Sequence, residues 1–346
     1  MGHPGLDSGS RPDTGPRIGL GLAALARPAY INSGRAHDLG GRRDVERLRG
    51  RTVELLDAAY RAGVRYLDVA RSYGRAEEFL AGWLADRPDV DDVVIGSKWG
   101  YRYVGEWRMD AEVHEVKDHS LDAFTEQYAR TRELLGTRLD VYHVHSATLD
   151  TGVLADAALH QALARLRDGG IRVGVSTSGP DQAATVRRAV EIEVGGQPLF
   201  TSVQATWNLL EPSVGPALAE AAEAGVRVIV KEAVANGRLT RVNDPGDPGD
   251  SNSPDDSNGP AGSPANRAAR ELAGRLGVPI DQLAIAAALA QPWAWRVLSG
   301  AVTLEQLDSN LGAEGLPLPP SVLAELAGLA EPAAGYWAAR SQRPWV

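Results

Sequence analysis

Short runs of β-branched and aliphatic residues alternate along the chain with longer stretches whose apolar positions recur every three or four residues, from about residue 18 to about residue 313. Strands are predicted at 18–24, 64–68, 93–98, 139–145, 171–176, 200–205, 226–231 and 296–299. Helices are predicted at 44–62, 76–85, 121–135, 155–168, 182–194, 214–223, 266–276, 281–290 and 304–312. In the first helix Val45, Leu48, Val53, Leu55, Leu56 and Ala59 fall on one face, and Gly63 is the expected stop. Eight strands, each followed by helix, imply a parallel sheet. The count fits an α/β fold with a closed (β/α)8 TIM barrel as a single domain over 17–346, with an open doubly wound sheet as the competitor. A barrel places functional side chains at the carboxyl ends of its strands.

Two segments stand outside the alternation. Residues 1–16, rich in Gly, Pro and Ser, read as a mobile lead-in with neither the basic start nor the apolar centre of a signal peptide. Residues 243–264 hold no large apolar side chain and cannot contribute to a core. They read as a disordered surface insertion or, because they follow the seventh strand on the active face, as a lid over a ligand.

Composition narrows the chemistry. The chain of 346 residues has no cysteine, which excludes disulfides, thiolate nucleophiles and Cys-type metal sites. A formal charge of −9 without a concentrated basic face argues against nucleic acid as a partner. The longest apolar stretch, 283–290, is too short to span a bilayer, so a soluble, cytoplasmic protein without a membrane partner is expected.

Chemistry concentrates at the predicted strand ends. Asp68 closes strand two, with Tyr73 five positions on in LDVARSYG; Lys98 lies at the end of strand three in VVIGSKWG; His145 ends strand four in DVYHVHSA. A phenol of pKa about 10 is a poor acid–base group at neutral pH. A neighbouring ammonium is expected to lower that pKa, a carboxylate to hold the ammonium charged, and an imidazole to orient a carbonyl oxygen. Such a group of four suits protonation of a carbonyl oxygen as hydride arrives.

These segments, in this order and on these strands, resemble the aldo-keto reductase family over about residues 17–313. The resemblance implies an NADPH-dependent oxidoreductase interconverting a carbonyl and an alcohol, with Asp68, Tyr73, Lys98 and His145 as catalytic tetrad and Tyr73 as general acid or base. It also implies that Ser176 and Gln204 hold the nicotinamide carboxamide. Lys231 stands where the family often has an aromatic against the nicotinamide, and Gly300, Gln306 and Asn310 match the loop and helix that bind the adenosine phosphate. Basic residues often found in that last segment are absent. The resemblance makes NADP(H) the first choice, and the missing basic residues, which would best hold a 2′-phosphate, leave NAD(H) open. Trp99, Tyr101, Trp107, His114 and Trp207 are candidates for lining a pocket for a small carbonyl or alcohol substrate, and no metal is implied.

Three other readings compete. His143 and His145 form an H-x-H pair of the kind found in metal hydrolases, but His160 is the only later histidine and falls in a helix. The segment from Gly19 to Ala24 approximates a dinucleotide fingerprint, yet no helix opens after it. A barrel that binds nicotinamide cofactor as a sensor or partner-binding subunit, with little turnover, is the functional alternative.

Overall fold

The computed structural model describes residues 15–31, 38–41, 43–240 and 263–345. Residues 1–14 of the predicted lead-in and 243–262 of the predicted insertion lie outside them. Eight parallel strands close into a barrel: β1 (Ile18–Gly21), β2 (Tyr66–Asp68), β3 (Val94–Trp99), β4 (Val141–Ala147), β5 (Arg172–Thr177), β6 (Ser202–Thr206), β7 (Arg227–Lys231) and β8 (Ala294–Ser299). Each pairs with its neighbours in sequence, and β8 returns to β1 through Ile18 opposite Val297, so no edge is left open. Gly19 and Gly21 lie on this first barrel strand, not on a fingerprint loop.

Several of the helices that clothe the barrel start where the chain supplies a side-chain cap. Asp44 accepts from the Arg47 amide ahead of α1 (Val45–Arg61). α2 is Ala76–Ala85, and Ser120 caps α3 (Leu121–Leu135) through the Ala123 amide. Asp156 accepts from Leu159 N and so starts α4 at Ala157–Asp168, two residues later than periodicity alone placed it. α5 (Gln182–Val190) stops short of its predicted end, because residues up to 194 enter a small hairpin, Glu193–Val194 with Gln197–Pro198. Gly195 and Gly196, both at positive φ, make its turn. α6 is Gly215–Glu223.

The end of the predicted insertion belongs to a helix. Ser263 accepts from Asn266 N and Pro264 opens α7 (Pro264–Leu276), a fit of fixed proline φ to the first helical turn. α8 (Ile280–Leu289) is buried at every position but Gln282, which matches its mostly apolar sequence. After β8, Thr303 caps α9 (Leu304–Leu311). Two helices follow beyond the predicted alternation, α10 (Pro320–Ala327) and α11 (Ala333–Ser341), and α11 brings Arg340 onto Glu232 after β7. The loop after β3 also holds structure that the sequence did not announce, an antiparallel hairpin of Tyr101–Tyr103 with Glu115–Lys117. No single helix among the described residues is long and apolar enough to cross a membrane.

Candidate active site

Alternation along each strand decides what reaches the barrel interior. On β3 the inward positions include Gly96 and Lys98, while Ser97 and Trp99 face the helices: Ser97 donates to Glu77 of α2 at 2.6 Å, and the Trp99 ring lies 5.1 Å from that of Phe124 on α3. On β4 His143 and His145 share the inward face at different depths. His143 lies deeper, against the Ser202 hydroxyl at 3.0 Å. Tyr73 sits in the turn after β2. The next residue, Gly74, has φ +57°, and a Cβ there would stand 2.4 Å from the Ala26 carbonyl oxygen. Glycine thus lets the β2–α2 turn press onto the loop after β1 and brings Tyr73 over the mouth.

There the side chains of Asp68, Tyr73, Lys98 and His145 meet. The Lys98 ammonium donates to Asp68 Oδ2 at 2.5 Å and to the Val69 carbonyl at 3.0 Å, while Gln204 Nε2 donates to Asp68 Oδ1 at 2.8 Å. Lys98 Nζ is 4.7 Å from the centre of the Tyr73 ring, and the phenol oxygen is 3.5 Å from His145 Nε2. On the far side of the imidazole, Ser72 Oγ lies 3.4 Å from Nδ1. If that hydroxyl donates, the ring proton rests on Nε2 and points into the mouth.

Electrostatics departs from the sequence expectation at Tyr73. Burial pushes its phenol well above the ordinary value, and the Asp68 carboxylate pushes the same way. The nearby ammonium does not reverse this, because burial is the larger effect and Asp68, which holds Lys98, opposes it. Burial lowers the Lys98 pKa, opposed by Asp68. Burial, aided by the Lys98 charge, keeps His145 well below the usual histidine range, so its ring is neutral. The site therefore holds a protonated phenol beside a neutral imidazole.

A cavity of about 430 Å³ runs from these residues to the loop between β8 and α9. Lys231, Gln204, Gly300, Gln306, Asn310 and Tyr101 line it. Lys231 donates to Thr206 Oγ1 at 2.6 Å. Gln306 donates to Asp38 at 2.6 Å, and Asn310 donates to Asp281 Oδ2 at 2.9 Å. Ser176 is fully buried and accepts from Ser146 N, and Ser178 faces the cavity in its place. Tyr101 reaches the mouth, its ring 5.0 Å from that of His145.

The other aromatic candidates do not line the cavity. Trp99 points outward by the alternation of β3, and Trp107 donates to the Arg43 carbonyl on the outer side of the β3 loop. His114 stacks on Trp345 at 4.4 Å, and Trp207 packs against Trp293. Their places are taken by residues that sequence reasoning passed over: Arg27 and Tyr30 after β1, Glu115 on the hairpin, Glu232 after β7, and Arg340 and Trp345 at the C-terminal end. Arg27 is almost fully buried, paired with Glu115 at 3.0 Å, with its guanidinium 5.0 Å from the Tyr73 ring centre. No group of three metal-ligating side chains occurs among the described residues.

The geometry can be compared with known proteins. The family model described as the aldo/keto reductase family matches residues 43–331, whereas none of the curated proteins matches the chain. Among solved structures the chain is similar to aldo-keto reductase AKR11C1 from Bacillus halodurans in its holo form, with 21% identity, a TM-score of 0.64, and coverage of 92% of this chain and 93% of that one. It is also similar to the candidate aldo-keto reductase PA4992 of Pseudomonas aeruginosa, at 21% identity and a TM-score of 0.57 over 86% of this chain and 89% of the other. At such identity the structural likeness speaks for the fold. The family match, which takes in most of the chain and all four residues at the barrel mouth, places the protein in the aldo/keto reductase family, oxidoreductases that generally bind nicotinamide cofactors and act on carbonyl and alcohol groups.

Proposed function

We propose that the protein reduces a small aldehyde or ketone with a reduced nicotinamide dinucleotide, or runs the reverse oxidation, with Tyr73 handling the proton. The observation that carries this reading is the placement of the Tyr73 phenol beside a buried Lys98–Asp68 pair and a neutral His145 at the mouth of the cavity. Polar groups along the cavity fit a dinucleotide. Asp281 Oδ1, Asn236 Oδ1 and Ser309 Oγ are buried without a partner among the described residues, which suits the hydroxyl and amide groups of such a ligand.

When bound, the dinucleotide supplies or accepts the hydride. The protein's part is position and proton. His145 Nε2–H and the Tyr73 hydroxyl converge on one point, where a carbonyl oxygen can accept from both. Tyr73 then passes its proton to that oxygen. The phenolate left behind is stabilised by the ammonium of Lys98 over its ring face and by the Arg27 guanidinium. Asp68, fixed by Gln204, keeps Lys98 charged and oriented.

A pH dependence follows with a definite sign. A phenol held above its ordinary pKa stays protonated through neutral pH, so reduction is expected to hold steady from about pH 6 to pH 9 and to fall only as the phenol ionises. Oxidation, which needs the phenolate, should rise with pH over the same range. Steady-state kcat/KM in both directions checks this, and a reduction rate that falls steeply between pH 6 and pH 8 would count against Tyr73 as the acid.

The end of the cavity away from Tyr73 favours NAD(H) over the NADP(H) suggested by resemblance. With the reactive ring at Tyr73, the adenosine falls at that end, where Asp38, Asp281 and Glu305 are among the lining residues and the described lining there includes no lysine or arginine. A ribose hydroxyl can donate to a carboxylate, whereas a 2′-phosphate is repelled by it. Titration of cofactor fluorescence with NADH and NADPH is expected to give about tenfold tighter binding of NADH. Tighter binding of NADPH would overturn the preference, and no binding of either would sink the reductase reading.

A further inference from the structure

We propose that the cavity mouth contains an anion subsite, built by Lys231 and Arg340 around Glu232, which selects carbonyl substrates carrying a carboxylate. The proposal rests on the reductase reading above and adds the class of substrate.

Arg340, from α11, donates to Glu232 through Nε at 2.8 Å and Nη2 at 2.5 Å. Lys231 approaches the same carboxylate at 3.5 Å and turns its shorter bond, 2.6 Å, to the Thr206 hydroxyl. Two cations thus share one carboxylate, and the three side chains are only 21%, 15% and 9% exposed for Arg340, Lys231 and Glu232. Glu232 holds this position at φ +58°, a conformation that residues other than glycine seldom adopt. A net positive charge kept largely out of water is costly unless an anion meets it.

The charges facing the cluster from other elements do not cancel it. Lys98 is neutralised by Asp68 and Arg27 by Glu115, while His145 is neutral. The cluster of Lys231 and Arg340 on Glu232 thus keeps one positive charge in excess at the mouth. The cluster is also near the reacting groups. The Lys231 charge contributes to depressing the His145 imidazole, and Arg340 acts on the Tyr101 phenol, whose ring is 5.0 Å from that of His145. A carboxylate a few bonds from a carbonyl held at Tyr73 can meet the cluster inside this cavity.

The test compares butanal with succinic semialdehyde, matched in chain length and differing in the terminal carboxylate, using purified full-length protein and reduced cofactor. Glu232→Gln raises the cluster's charge by one, Arg340→Met lowers it by one, and Arg340→Lys keeps it. The ratio of kcat/KM for the acidic over the neutral aldehyde is expected to exceed one in the native protein. It should fall about tenfold in Arg340→Met, rise severalfold in Glu232→Gln, and change little in Arg340→Lys. Circular dichroism and thermal melting verify folding; if Arg340→Met does not fold, the opposite-sign Glu232→Gln variant still decides. A ratio that ignores charge, or moves the same way in Glu232→Gln and Arg340→Met, overturns the subsite. So does a cofactor dissociation constant that tracks the charge while the ratio does not, since the anion would then be the cofactor's diphosphate. Failure to bind cofactor and to reduce either aldehyde would instead remove the reductase reading and this proposal with it.

Discussion

Tyr73→Phe is expected to lower kcat for carbonyl reduction by roughly 10²–10⁴-fold while leaving cofactor binding and thermal stability nearly unchanged. The size follows from what the hydroxyl does. It is the proton donor of the proposed step, and the residue that could replace it, His145, is held neutral by burial and so is a weak acid in this setting. Stability should change little because the ring, which provides the packing, is kept. Among the described residues the hydroxyl's one hydrogen bond is a long 3.5 Å contact to His145, whose other nitrogen keeps Ser72. Steady-state kinetics beside fluorescence titration of the reduced cofactor separates the two effects. A variant that retains more than about a tenth of the native kcat would show that the proton comes from elsewhere.

The barrel and the four residues at its mouth were legible because each signal is local. A strand and the helix after it are written in a few turns of hydrophobic period, and Asp68, Lys98 and His145 sit at the ends of such strands. The same local rule could have removed Trp99. Its neighbour Lys98 points inward, so Trp99 must point outward. What the pattern did not carry are contacts between distant segments. Glu232 meets Arg340 across 108 positions, and Arg27 meets Glu115 across 88. Arg340 lies in a helix beyond the regular alternation, where no strand end marks it as facing the mouth. An arginine near a chain end looks like any solvated surface residue until the fold pairs it with a buried carboxylate. The sign of the pKa shift at Tyr73 was missed for a related reason: proximity to an ammonium was foreseen, but how completely Asp68 and burial offset it depends on three-dimensional packing.

Lys98→Met is expected to remove turnover to a similar degree and, unlike the Tyr73 change, to destabilise the fold. Lys98 is fully buried, and its loss leaves the Asp68 carboxylate with Gln204 as its remaining side-chain donor. Breaking a buried ion pair from one side costs about 3–5 kcal/mol, because the stranded charge has no water to turn to. Replacing both partners by neutral residues of similar size avoids that penalty. The double variant Asp68→Asn with Lys98→Met should therefore recover most of the lost stability in denaturant melts, since the amide oxygen introduced in place of the carboxylate could still accept from Gln204. It should not recover activity, because no ammonium then stands over the Tyr73 ring to stabilise the phenolate. Recovery of both together would mean that Lys98 serves only to neutralise Asp68. Recovery of neither would mean that the pair fixes the geometry of the mouth, rather than its charge.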